Sequence, residues 1–492
     1  MIAFQHRYAR LPDHAWTGQS PVPVTAPRLL ALNKPLAESL NIPPGLVNGA
    51  PDTLAAVFGG NQVPEGSRPL AMAYAGHQFG HFVPQLGDGR ALLLGELQDR
   101  AGRWFDVQLK GSGPTPFSRG GDGRAALGPV IREYLVSEAM HALGVPTTRA
   151  LAAVSTGEFV QRAGPLPGAI LTRVARSHVR VGTMQYFAAR HDSDTLRALV
   201  DFVLDRLGIS PDASAEAVPA LTLLDHVAES QAALVAAWMS FGFIHGVMNT
   251  DNCALSGETI DYGPCAFMDE YDPARVFSSI DRRGRYAYTN QPAIAHWNLA
   301  RLAETLLPLI DADESRTLAA ANARLEAFPE IYEQHWRARF GAKLGLVDAK
   351  PGDDLLIGGF LDALHAGRAD FTLAFRHLAD AVEGDAPDAL TALFDDRTKF
   401  DEWLVQWRVR LEQAGVAVEK VQAAMNAVNP DRIPRNHLVE RAIRAAEDDA
   451  DFSAFERLQR AWARPFGADD EFADLRDPPT EDERVRETFC GT

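Results

Sequence analysis

The spacing of apolar residues divides the chain into three stretches. Residues 1–70 are rich in proline and weakly periodic, and predict an extended lead-in with one short helix near Leu29–Leu40. Strand patterns follow. Ala91–Leu97 is a short apolar run, and Gln98-Asp99-Arg100-Ala101-Gly102-Arg103 is turn chemistry. Trp104–Lys110 alternates, with Phe105, Val107 and Leu109 on one face and Asp106, Gln108 and Lys110 on the other. These segments predict a hairpin. A helix is predicted over Pro129–Leu143, with Pro129 in its first turn and Gly144 and Pro146 ending it. Arg149–Val154, Glu158–Arg162 and Ala169–Ala175 are further strand candidates. Beyond about residue 195 the period becomes helical. Leu299, Leu302, Leu306 and Leu309 recur at that spacing, as do Tyr332, Trp336 and Phe340, and Trp403, Trp407 and Leu411. Such stripes are read as core. There is no internal repeat. A strand-rich part with one helix, followed by a larger helical part, predicts the α+β class.

Composition narrows the functional classes. The chain has 492 residues, 46% hydrophobic and 23% charged, with a formal net charge of -17. These are globular values, and a core of ordinary size is expected. A chain this acidic is a poor general binder of nucleic acid, which demands clustered lysine and arginine. The last stretch, from Gly467, holds nine acidic residues against three arginines and reads as a solvated tail. Three cysteines, at 253, 265 and 490, cannot form a disulfide framework and fit a reducing compartment. The start has no apolar secretory region, and the longest apolar run, Ala232–Ile244, is too short to cross a bilayer. We expect a cytoplasmic monomer with no membrane and no nucleic-acid partner.

Three constellations carry chemistry. Gly87-Asp88-Gly89-Arg90 leads into the hairpin that ends at Lys110. Glycines let backbone N–H groups approach phosphate, and a lysine on the neighbouring strand reaches the same oxygens. Glu133, in the helix after a second Gly-rich stretch (Gly111–Arg124), is placed to pair with that lysine, as in protein kinases. No GK[ST] follows either Gly-rich stretch, so a Walker A loop is set aside. The strongest cluster runs from His245 through Asp251 and Asn252 to Asp261-Tyr262-Gly263. It keeps the kinase His-to-Asn spacing and the Asp before Gly, and the oxygens of Asn252 and Asp261 suit Mg²⁺ or Mn²⁺. Val247 stands where kinases place the catalytic aspartate and cannot accept a proton. Asp251 lies instead beside Asn252. Arg173, Arg176 and Arg180 form a cluster that suits polyphosphate. His77 and His81, four residues apart, lack a third ligand nearby and are read as packing residues.

Apart from the three arginines, these residues lie within longer motifs: YAGHQFGHFVPQLGDGRALLLGE, DVQLKGSGPTPFSRGGDGRAALGPVIREYLVSEAMHALGVPTTRALA, HGVMNTDN with DYGPCAFMD, GRYAYTNQPAIAHWNLARLAE and NPDRIPRNHLVERAI. Over nearly its whole length the chain resembles the selenoprotein O family, also called SelO or YdiU. The resemblance implies a two-lobed, protein-kinase-like fold: residues 71–185 as N-lobe, 186–345 as C-lobe, 1–70 as an N-terminal extension, and 346–492 as a helical extension with the acidic tail. It implies ATP bound in a flipped orientation and AMP, not the γ-phosphate, transferred to Ser, Thr or Tyr hydroxyls of protein substrates. Some family members use UTP with Mn²⁺. By the resemblance, Gly87, Gly89, Arg90, Lys110, Glu133, Asp122, Gly123, Arg173, Arg180 and Asp261 are nucleotide-site residues. Asp251 is the proton acceptor, and Asn252 and Asp261 hold the metal. The alternatives are a catalytically inactive nucleotide-binding scaffold, which Val247 motivates, or ordinary phosphoryl transfer. Eukaryotic members carry selenocysteine near the end where this chain has Cys490. A Cys265–Cys490 bridge is the corresponding expectation.

Overall fold

The structure, a computed structural model, describes residues 2–210 and 218–489. Twelve strands occur among them: β1 (Trp16–Gly18), β2 (Arg28–Leu32), β3 (Leu70–Met72), β4 (Gly76–Gln78), β5 (His81–Val83), β6 (Ala91–Gln98), β7 (Trp104–Lys110), β8 (Ala125–Ala126), β9 (Arg149–Gln161), β10 (Pro165–Ala175), β11 (Phe243–Ile244) and β12 (Ala266–Phe267). The main sheet is antiparallel in the order β1-β3-β6-β7-β10-β9-β2, with β8 added to β10. From Pro219 onward the chain is mostly helical. The α+β expectation holds.

The predicted hairpin forms as β6 and β7, with Leu92 opposite Leu109 and Ala91 opposite Lys110. Its alternation has an unexpected outcome, because the polar face is buried too: Asp106 and Gln108 lie inside. Arg206, from the Ser193–Leu207 helix, donates to Glu96 at 2.6 Å and to Asp106 at 2.5 Å, both across an interface with no exposed side chain. This ion cluster fixes the sheet against the helices. Removing one member would leave an uncompensated buried charge, the costly way to break such a group.

The Leu127–Ala142 helix lies on β9 and β10, and Gly144 ends it at φ +77°. Its other side packs on the Asn436–Asp448 and Ser453–Trp462 helices, where Tyr134, Ile443, Phe455 and Trp462 share one core. The aromatic stripes are core, as expected: Trp403 and Trp407 stack at 5.5 Å. In the same core Lys343, ending the Glu314–Lys343 helix, is buried with its ammonium 4.2 Å from the Phe375 ring centroid.

Three expectations are corrected. The short helix near Leu29–Leu40 is two elements. Arg28–Leu32 is the edge strand β2 paired to β9, and only Lys34–Ser39 is helical, capped by the Asn33 side chain. Arg149–Val154 and Glu158–Gln161 form one strand, β9, continuous through Gly157 at φ +71°, and Arg162 lies just beyond it. The acidic tail is docked. Phe472 and Leu475 are buried, and Arg441, Arg457 and Arg460 pair with Glu483, Asp474 and Glu471. Thr488 joins Phe277, Ser279 and Pro264 by hydrogen bonds. Cys490 lies outside the described residues; Cys265 is buried and joined to no cysteine among the described residues. Among the described residues no helix is long and apolar enough to cross a membrane.

Candidate active site

The hairpin and the Leu127–Ala142 helix bring Lys110 and Glu133 together. Lys110 ends β7, and its Nζ donates to Glu133 Oε2 at 2.5 Å. The same ammonium donates to Asp261 Oδ1 at 2.5 Å. Glu133 has a second cation: Arg173 Nη1 donates to its Oε1 at 3.1 Å, while Nη2 donates to Gln108 Oε1 at 2.6 Å. Arg173 lies opposite Gln108 in the β7–β10 register, so the sheet itself sets this contact.

The loops that carry the other residues are held by a small clasp. Gly242 at φ +66° turns the chain after the Pro219–Ser240 helix, and β11 then pairs with β12. The loop holding Asp251 and Asn252 and the loop holding Asp261 both spring from this ribbon. His245 ties them: its Nε2–H donates to the Ile260 carbonyl at 2.9 Å, and its Nδ1 accepts from the Val247 N–H at 3.3 Å. Burial lowers its pKa, so it stays neutral in this role. Asp261 itself occupies left-handed backbone, φ +70°, a region aspartate tolerates better than most residues. Burial opposes its ionisation, but Lys110, Arg90 and Arg173 outweigh burial and hold the carboxyl far below the usual range.

Asp251 is buried beside β4. Burial raises its pKa to about 6, against the opposing field of Arg180, whose Nη1 donates to the Asp251 carbonyl at 3.2 Å. Gln78 Nε2 approaches Asp251 Oδ2 at 3.4 Å, while Oδ1 has no partner among the described residues. The β4–β5 hairpin grips the same loop through two backbone donors: His77 N–H to Thr250 Oγ1 at 2.6 Å and Phe79 N–H to Asn249 Oδ1 at 3.0 Å. His77 and His81 thus serve a strand pair, with no group of three or more metal-ligating side chains among the described residues.

Gly87, Gly89, Arg90, Asp122, Gly123, Asp251, Asn252 and Asp261 line one cavity of about 680 Å³. Lys110 and Glu133 line an adjoining one of about 420 Å³, which shares Arg90, Arg162 and Asp261 with the first. Gly87, at φ +77°, is held for packing as well: a Cβ there would lie 2.3 Å from the Phe117 ring. Asp122 accepts from Arg162 at 2.9 Å, an ion pair at the rim. Arg173 and Arg180 line neither cavity and stand behind the wall, Arg180 3.6 Å from Asp88. Arg176 leaves the expected cluster. Its backbone N–H donates to Glu258 and its guanidinium covers Phe105 at 5.6 Å. Sequence reasoning missed Asp88, buried under Arg180 with its pKa raised by burial, and Gln78. Asp88 was open to notice inside Gly-Asp-Gly; Gln78 carries no spacing signal.

The donor set fits a hard divalent cation. Asn252 spends its Nδ2 on the Val247 carbonyl at 3.1 Å, which leaves its Oδ1 for other use, and Asp261 Oδ2 has no hydrogen bond among the described residues. Two protein oxygens are few for an all-protein cage and typical of Mg²⁺ shared with phosphates.

The family model described as "Protein adenylyltransferase SelO" matches residues 1–463. Similar curated proteins bear the name "Protein nucleotidyltransferase YdiU". That of Bradyrhizobium diazoefficiens is 55% identical over 489 residues, covering 99% of each chain. That of Rhizobium etli (strain CIAT 652) is 56% identical, covering 100% of this chain and 97% of its own. That of Agrobacterium fabrum is 54% identical and covers 100% of both.

Proposed function

The chain belongs to the SelO family, and from that membership we propose that it is a protein nucleotidyltransferase that moves AMP from ATP to a Ser, Thr or Tyr hydroxyl of a protein and releases pyrophosphate. We read β6–β10 with the Leu127–Ala142 helix as a kinase-like N-lobe (residues 71–185) and the following helices as the C-lobe (186–345). Residues 1–70, which add β1 and β2 to the same sheet, and 346–492 are extensions. The observation that carries this is the joining of Lys110, Glu133 and Asp261 by bonds of 2.5 Å beside a cavity that also holds Asp251 and Asn252. A scaffold has no use for that set.

The roles follow from position. Gly87, Gly89, Arg90, Asp122 and Gly123 line the nucleotide cleft. Lys110 holds phosphate oxygens and is itself oriented by Glu133. Arg173 and Arg180 supply positive field from behind the wall, for a leaving group that becomes strongly anionic. Asn252 and Asp261 would hold Mg²⁺ or Mn²⁺, which supplies charge stabilisation at the phosphates. Asp251 receives the proton of the attacking hydroxyl. Its carboxylate is buried, so it is a stronger base than a solvated one, and its unpartnered Oδ1 is available for that proton.

A second reading is transfer of UMP from UTP with Mn²⁺. It is favoured by the difference between the family's description, which says adenylyl, and the relatives' name, which says only nucleotidyl. The test is incubation of the protein with an acceptor and ATP labelled at the α or γ position, with α-labelled UTP in parallel. Label from α-ATP on protein supports AMP transfer, label from UTP supports the second reading, and γ label supports a kinase. No label in any arm leaves a scaffold. Asp261→Ala abolishes labelling; unchanged labelling in that variant refutes the metal assignment.

A further inference from the structure

The mouth of the larger cavity carries a feature the nucleotide does not explain. Ile280 lines that cavity together with Asp251 and Asn252, yet its side chain is 56% exposed. Large apolar residues this exposed are few among the described residues, and this one lines the cavity that holds Asp251. Immediately after it come Arg282, Arg283 and Arg285. Most arginines here sit in ion pairs, but these three have no carboxylate within 4 Å among the described residues.

The acid nearest in sequence, Asp281, is otherwise engaged. It is buried and accepts the backbone N–H groups of Arg285 at 2.9 Å and Tyr286 at 2.7 Å. That bond pair also makes the segment rigid. Arg285 stacks on Trp297 at 4.8 Å, and the tip of the β4–β5 hairpin rests beside its guanidinium. On the other side, Ser279 N–H donates to the Thr488 carbonyl at 3.1 Å, which pins the segment to the tail. The tail brings one acid to this edge, Glu487, next to Thr488. Arg282 and Arg283 are left exposed on a fixed loop beside an exposed isoleucine.

We propose that residues 280–285 are the docking platform for the acceptor protein, and that they select an acidic stretch around the hydroxyl to be modified, with an apolar side chain set against Ile280. That the docked segment is an acceptor rests on the transferase reading above. That the platform prefers acidic chains rests on its own charges. A chain with net charge -17 repels acidic peptides at long range and attracts basic ones. Two exposed arginines, with no carboxylate partner among the described residues and two and three positions beyond Ile280, reverse that preference locally.

The test uses two fluorescein-labelled probe peptides. Each has a central serine and a leucine, one flanked by glutamates and the other by lysines, and binding is followed by anisotropy in low salt, where surface charge is least screened. The glutamate peptide is expected to bind the wild type more tightly. R282E/R283E is expected to weaken it roughly tenfold and to favour the lysine peptide. Both positions are exposed, so circular dichroism should be unchanged. Equal or tighter binding of the lysine peptide by wild type, or unchanged glutamate binding in the variant, overturns the proposal. The transfer assay separates the two readings: in R282E/R283E the KM for the glutamate peptide rises while the KM for ATP stays. If wild type shows the binding preference but no transfer to either peptide, the transferase reading fails and the acidic-peptide surface stands.

Discussion

Lys343 is the sharpest point at which the fold can be tested by itself. Its ammonium is buried against the rings of Phe375, Phe241 and Phe371, and no carboxylate pairs with it among the described residues. Burial therefore lowers its pKa from 10.5 to about 7. Between those values the unfolded chain binds more protons than the native one, so stability rises as pH rises through that window. Integrating the difference gives about 4 kcal/mol of destabilisation at pH 7, nearly all of it gone by pH 10.5. The aromatic faces return about 1–2 kcal/mol to the charged form, leaving a net cost of about 2–3 kcal/mol. Lys343→Met fills the same volume with an uncharged chain that packs well on rings. The expected result is a urea midpoint higher than wild type at pH 7, with the two curves converging toward pH 10. Other groups titrate over that range, but the difference between the two proteins isolates this one. A gap that stays constant from pH 7 to 10, or a less stable variant at pH 7, refutes the reasoning.

Three further outcomes follow from described contacts. Gly76→Ala places a Cβ 2.6 Å from Asp251 Oδ1, so the carboxylate must move; the transfer rate should fall roughly a hundredfold in a protein of normal melting temperature, and full activity would contradict Asp251 as the acceptor. Burial raises the pKa of Glu258 to about 7, so the native state binds the extra proton between pH 4.5 and 7 and loses stability as pH rises through that range. Glu258→Gln should gain on wild type by up to about 3 kcal/mol between pH 4.5 and 8 in chemical denaturation, and parallel pH profiles would refute this. Phe472→Ala should cost about 3–4 kcal/mol because the tail is docked, where a solvated tail would make it nearly neutral.

The order Gly87, Lys110, Glu133, Asp251, Asn252, Asp261 was legible because each sits in a local pattern tied to its element: a glycine turn, a strand end, a helix, two polar loops. What joins them was not local. Asp88 meets Arg180 and Gln78 meets Asp251 only through tertiary packing, and no spacing announces either. The alternation of Trp104–Lys110 gave the strand but not the burial of its polar face, because nothing in sequence shows that Arg206 will arrive from a distant helix to meet Asp106. Arg28–Leu32 has helix-forming leucines, yet pairing with β9 decides its state. The tail's acids suggested solvation, because composition does not count the arginines waiting on other helices.

The grouping of charge around the cleft bears on how a nucleotide can enter. Lys110, Arg90, Arg173 and Arg180 stand among Glu133, Asp261, Asp251 and Asp88, and most of these are already matched in pairs. The reading of a cationic trap for polyphosphate is thereby replaced by that of a near-neutral socket. A free tetra-anion gains little by leaving water for such a place, whereas one that travels with a divalent cation arrives with most of its charge already matched. On the function proposed above, recognition then rests on geometry more than on attraction, and the concentration of available divalent metal would control nucleotide capture.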